Sequence, residues 1–138
     1  VLDNDQIENS YLLFAAGPGE NNQGKLTIAE INGLTKQTSS LVVLSACETA
    51  VSKEEIKGFY ISPTNAFLTN RVDAVIGSLW KVPDETTNLL LQEFYNNIEK
   101  KGMGNAQALR NAQATVSANP KYNHPFFWSA FVLYGEWR

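Results

Sequence analysis

The run Leu41-Val42-Val43-Leu44 shows no alternation of apolar and polar residues, and Ala74-Val75-Ile76-Gly77-Ser78-Leu79-Trp80 is a second such run. A strand with one wet face has a period of two. Continuous β-branched and leucine runs suit strands covered on both faces, as in a parallel sheet flanked by helices. Parallel strands also need crossover connections, and the segments between the runs supply helical patterns. Thr27 and Glu30 have capping-box spacing, with Ile28, Ile31 and Leu34 on the apolar side of a short helix that Gly33 ends. Pro63 to Asn70 reads as a helix with Pro63 in its first turn and Ala66-Phe67 buried.

Further on, Asp84 is expected to cap a long amphipathic helix, with Thr87, Leu90, Leu91, Phe94 and Ile98 turned inward and Gly102 just past its end. Asn105 is expected to cap another, whose Ala108, Leu109, Ala112 and Val116 form a small-residue stripe. Tyr11 to Ala15 reads as a strand before a loop rich in Gly, Pro and Asn. Lys53 to Gly58 reads as an exposed polar continuation, and Ser129 to Tyr134 as a final strand closed by Gly135. The expectation is an α/β fold: a single domain over residues 1–138, with a mostly parallel sheet and helices on both faces.

Composition excludes several functions. The 11 Lys+Arg against 14 Asp+Glu leave a net charge of -3, so no broad basic surface exists to neutralise phosphates, and nucleic acid is not an expected partner. Hydrophobic residues at 43% with 18% charged residues describe a chain that folds rather than a disordered one. With one Cys and one His there is no disulfide framework and no Cys/His zinc site, and no metal or cofactor is expected. The longest apolar runs fall far short of the roughly 20 residues that cross a membrane. Without disulfides or a secretory pattern the expected location is cytoplasmic, and the start at Val1 reads as that of a cut piece.

Ligands of parallel α/β sheets collect beyond the C-terminal ends of the strands, where Ser45-Ala46-Cys47 and Ser78-Leu79-Trp80 both fall if their strands are neighbours. A thiol there can be held as thiolate by unpaired backbone N–H groups and a helix dipole, which suits Cys47 as a nucleophile; equally, cysteine is among the residues most often buried as core filler. A phosphatase loop is rejected, because Lys53 stands where a bidentate guanidinium is needed and Glu48 and Glu54 repel phosphate. His124 is the chain's only histidine. It precedes its strand whereas Cys47 follows its own, so parallel strands would set the two at opposite sheet edges, with the imidazole bonding a backbone carbonyl. Trp80 either lines a groove, beside which an extended peptide could pair with the strand, or covers the end of the core.

Four blocks in order carry a family likeness: Leu41 to Thr49, Asn65 to Leu68, Val75 to Val82, and His124 to Gly135. In these blocks, across nearly the whole chain, the sequence resembles the CHAT domain, a caspase-like family related to separases and often joined to tetratricopeptide repeats in bacteria. The resemblance implies a caspase-like sheet, here incomplete on its N-terminal side, and a Cys/His dyad that hydrolyses peptide bonds through an acyl-enzyme. It makes Cys47 the nucleophile, whose own N–H helps form the oxyanion hole, and Ser45, Ser78, Leu79 and Trp80 the substrate-binding residues. It assigns the base to a histidine upstream of the chain and leaves His124 in a structural His-Pro block. Ala50, where the family commonly has glycine, and Lys57 before Gly58, where an acidic residue is common, are departures in the loop beyond Cys47.

Expected partners are a protein or peptide substrate, a repeat domain in the same polypeptide, and a second copy pairing on uncovered edges. The other reading is an inactive CHAT module that binds proteins or peptides. A primed Cys47 alkylates near neutral pH faster than an unperturbed thiol of pKa about 8.5. An equal or slower rate removes helix-dipole activation from the account.

Overall fold

The chain runs β1 (Tyr11–Leu13), β2 (Lys25–Thr27), α1 (Ile28–Gly33), β3 (Leu41–Leu44), β4 (Glu55–Ile56) and β5 (Phe59–Tyr60). It continues through α2 (Pro63–Thr69), β6 (Ala74–Ser78), α3 (Asp84–Lys101), α4 (Asn105–Ser117), a 3-10 turn (Pro125–Phe127) and β7 (Phe131–Gly135). This computed structural model describes residues 11–13, 24–33, 41–45, 55–56, 59–60 and 63–138.

The two non-alternating runs lie side by side. β3 pairs parallel with β6 from Leu41↔Ala74 to Leu44↔Gly77, and β6 is the central strand of the order β3-β6-β7. All five residues of β6 are buried. Both faces of the sheet are covered, which is why neither strand alternates. Ile76 and Phe131, with Leu41, Val43 and Leu133, pack into the cluster of α3 and α4 around Leu90, Phe94, Ala108, Leu109, Ala112 and Val116. Val75 and Leu44, with Val42, turn to the other face against Val72, Phe67 and Leu68 around α2. Leu12 of β1 joins that second cluster and also meets Ile28, Ile31 and Ala66.

The α/β architecture is as expected, but the direction of the last strand is not. β7 pairs antiparallel with β6, from Ala74↔Gly135 to Ser78↔Phe131, so the described three-stranded sheet is mixed. The cause is the number of helices in the connection. One crossover helix returns the chain to the starting end of a strand; here α3 goes back and α4 comes forward again, so β7 starts where β6 finished.

Local chemistry sets the element ends. The Thr27 N–H donates to Glu30 Oε2 (2.8 Å) and the Glu30 N–H to Thr27 Oγ1 (3.1 Å), which is the capping box expected at α1. The backbone bond first, then the threonine hydroxyl, holds the exposed Glu30 carboxyl below its ordinary value. α3 closes at Gly102, whose φ of 62° lets its N–H reach the Ile98 carbonyl (3.0 Å) while the Met103 N–H reaches that of Asn97 (3.2 Å). The starts of both long helices differ from expectation by one residue. Pro83 and Gly104 hold the cap positions, and neither Asp84 nor Asn105 makes a cap bond; the Thr86 hydroxyl donates to the Pro83 carbonyl instead (2.9 Å). It is Thr86, not Thr87, that is fully buried on the inner face, together with Asn97. β1 pairs with β2, a strand that sequence reasoning missed, and the stretch expected as polar continuation holds β4, which pairs with β5 just beyond it.

Besides Gly102, two more of the positive-φ positions have opposite consequences. Gly135 (φ 91°) leaves no room for a Cβ, which would run into the Asp73 carbonyl oxygen. Arg71 (φ 64°) closes α2 where glycine is usual, its N–H on the Leu68 carbonyl (3.2 Å) and that of Val72 on Phe67 (3.3 Å). Urea unfolding should therefore show Arg71→Gly stabilising by about 0.5–1 kcal/mol. Gly135→Ala should destabilise by about 2 kcal/mol or more.

Candidate functional site

Parallel pairing brings the ends of β3 and β6 to one edge of the sheet. The last pair of β3 with β6 is Leu44↔Gly77, so exposed Ser45, where β3 has ended, comes beside buried Ser78, the last residue of β6. Cys47 lies outside the described residues. Of the expected substrate-binding residues the structure thus gathers Ser45, Ser78, Leu79 and Trp80 at one strand end. Ser78 is only 3% exposed, so neither its hydroxyl nor its main chain lies open there. The Leu79 N–H donates to the Ala130 carbonyl (2.9 Å), on the β7 side. Strand alternation then turns the main-chain groups of Ser78, one residue earlier, toward β3.

Trp80 is half-buried and packs on the α3–α4 core, so it does cover the core's end. It also ties two segments together. Its Nε1–H donates to the Phe126 carbonyl (3.0 Å), and the two rings stack with centroids 6.4 Å apart and 21° between planes. Phe126 meets Phe127 edge-on (5.5 Å), and Phe127 meets buried Tyr122 (5.6 Å). An aromatic chain therefore runs from the end of β6 to the core. Phe126 itself remains 44% exposed, which leaves an aromatic surface beside the strand end.

The antiparallel β7 changes the position of His124. Its loop precedes a strand that starts at the edge where β3 and β6 end, so the expected separation to opposite edges is overturned. The imidazole does bond backbone, but as an acceptor: the Phe126 N–H donates to Nδ1 (3.2 Å), capping the 3-10 turn. The neutral ring then carries its proton on Nε2, and the nitrogen that could take a proton is occupied. Occupancy of Nδ1, rather than distance across the sheet, argues against His124 as a base.

Sequence reasoning missed Gln113. Its Nε2 donates to the Trp128 carbonyl (3.2 Å) and to the Phe131 carbonyl (3.0 Å), spanning the corner between the 3-10 turn and β7. The signal was present: Gln113 lies four residues after Leu109 and three before Val116, at the margin of the buried stripe of α4, where a carboxamide needs partners. On the outer face the Lys121 Nζ bridges both Glu85 oxygens (3.0 Å each), fastening the same loop to the first turn of α3. Approach of the Tyr122 hydroxyl, then the Lys121 ammonium, holds the Glu85 carboxyl below its ordinary value. That hydroxyl is buried yet meets no partner at full hydrogen-bond geometry, so its influence is one of proximity. Both charged groups are well exposed, and such a pair adds little stability.

Among the described residues no group of three His, Cys, Asp or Glu side chains could hold a metal ion, and no helix is long and apolar enough to cross a membrane. An open groove of about 190 Å³ between α3 and α4, lined by Leu89, Gln92, Asn96, Thr115 and Tyr122 among others, contains none of Ser45, Ser78, Leu79 or Trp80. Among known families, the model of the CHAT domain aligns with residues 1–136. No curated protein matches the chain.

The bond at Nδ1 makes a direct prediction. His124→Ala should leave the rate and pH profile of Cys47 alkylation within about twofold of wild type. A loss of roughly a hundredfold, the scale of a missing general base, would reinstate His124 in that role.

Proposed function

The chain belongs to the CHAT domain family, and from that premise we propose that it is the nucleophile-bearing part of a caspase-like cysteine endopeptidase. Cys47 attacks the scissile carbonyl, the C–N bond breaks and the protonated amine product departs, and water then hydrolyses the thioester to the acid product and the free thiol. The base is a histidine on the strand before the cysteine's, in a block that precedes Tyr11 in the order implied by the family likeness. The Cys47 N–H is one donor to the developing oxyanion.

The observation that carries this reading is the parallel β3–β6 pair. Ser45, two residues before Cys47, leaves the sheet beside Ser78, and the Ala130 carbonyl just before β7 accepts the Leu79 N–H from the far side. A substrate strand laid along Leu79 and Trp80, past the end of β3, would then carry its carbonyl toward the Cys47 segment, with main-chain bonds supplying affinity and side-chain subsites specificity. The half-exposed Phe126 and Trp80 rings beside that edge suit an apolar substrate side chain.

The test is cleavage of a peptide library and candidate proteins by the full-length polypeptide, read by mass spectrometry beside its Cys47→Ala variant. The reading expects sequence-selective products from wild type and a rate lower by roughly a thousandfold or more in the variant. Cleavage by neither form, with peptides still retained, would replace the peptidase with a protein- or peptide-binding CHAT module.

A further inference from the structure

The corner of residues 128–131 is pinned in a way that neither helix packing nor strand pairing requires. A primary carboxamide nitrogen carries two hydrogens, and Gln113 directs both at main-chain carbonyls, those of Trp128 (3.2 Å) and Phe131 (3.0 Å). Between these two residues lies Ala130, fully buried, whose carbonyl receives the Leu79 N–H (2.9 Å). On the other side of Trp128, the Phe126 carbonyl receives the Trp80 indole N–H (3.0 Å). The Ser78–Trp80 segment therefore has two hydrogen bonds to this loop, one from main chain and one from a side chain, and Gln113 grips the loop between them.

We propose that Gln113 is the positioning residue of the Ser78–Trp80 edge: its carboxamide holds the corner before β7, and the corner fixes the bend by which Leu79 and Trp80 leave β6 to present that edge. This role rests on the peptidase reading above and names what keeps its binding edge in register. Gln113 touches no substrate in this scheme and acts only through the loop. The requirement is for a double donor. A carboxylate of the same shape would place negative oxygens against two carbonyls, and alanine would leave both carbonyls without the bond.

Two variants in the full-length protein, Gln113→Glu and Gln113→Ala, separate this from simple packing. Hydrogen–deuterium exchange of segments covering Ser78 to Val82 and His124 to Ala130 should accelerate by roughly tenfold in both variants, the scale of a lost hydrogen bond. Segments inside α3 and α4, Leu90 to Ile98 and Ala108 to Ala112, should keep their protection. Glu behaving as wild type would show that only side-chain volume matters, and acceleration confined to α4 would show a purely structural role; either overturns the proposal. In a Cys47→Ala background, both variants should bind a pool of random-sequence heptapeptides roughly tenfold more weakly than the parent. Equal binding overturns the positioning role. Failure of the parent itself to bind overturns the peptidase reading, whereas the exchange data then still report whether Gln113 anchors the loop.

Discussion

The rest of the fold depends on the burial of β6. Every side chain from Ala74 to Ser78 is inside, with main chain bonded to β3 on one side and β7 on the other. A strand in that position has no wet face, so its neighbours must supply apolar cover above and below, and they do so from α3–α4 and from α2. Its only access to solvent is at its ends. Beyond Ser78 the chain bends into Leu79 and Trp80, and there the sheet can meet another molecule.

That arrangement was legible in the sequence to the extent that it is local or periodic. The two non-alternating runs announced paired buried strands, the Thr27–Glu30 spacing announced a cap that forms as expected, and the stripe Ala108, Leu109, Ala112 and Val116 is buried throughout. Helix starts slipped by one residue, because Asp84 and Asn105 resemble caps in isolation whereas Pro83 and Gly104 already hold the extended backbone that precedes each helix. β2 is three residues long, with little pattern to read.

The direction of β7 was readable in principle: two successive helices between strands reverse the parity that one helix sets. Hydrogen bonds between distant residues were not readable. Trp80 and Phe126 are 46 residues apart, and nothing in either neighbourhood says that an indole N–H will meet that carbonyl. The candidate site thus divides into a legible half, the strand ends, and an illegible half, the loop that returns from α4 to fix them. The division follows the physics: periodicity reports burial, whereas partner choice depends on the assembled topology. In the proposed reading, nucleophile and binding edge follow β3 and β6, and the corner that Gln113 of α4 grips precedes β7.

The most direct test of the central claim, that Cys47 and the Ser78–Trp80 edge serve one site, is the rate at which Cys47 of the full-length polypeptide is labelled by two probes bearing the same electrophile. One carries a four-residue peptide and the other a single capped residue. Shared use of the edge predicts labelling by the longer probe faster by roughly tenfold or more, with the advantage lost in Trp80→Ala, because remote contacts then contribute to the reacting complex. Equal rates for the two probes would contradict it and leave Cys47 a thiol without a binding site beside it.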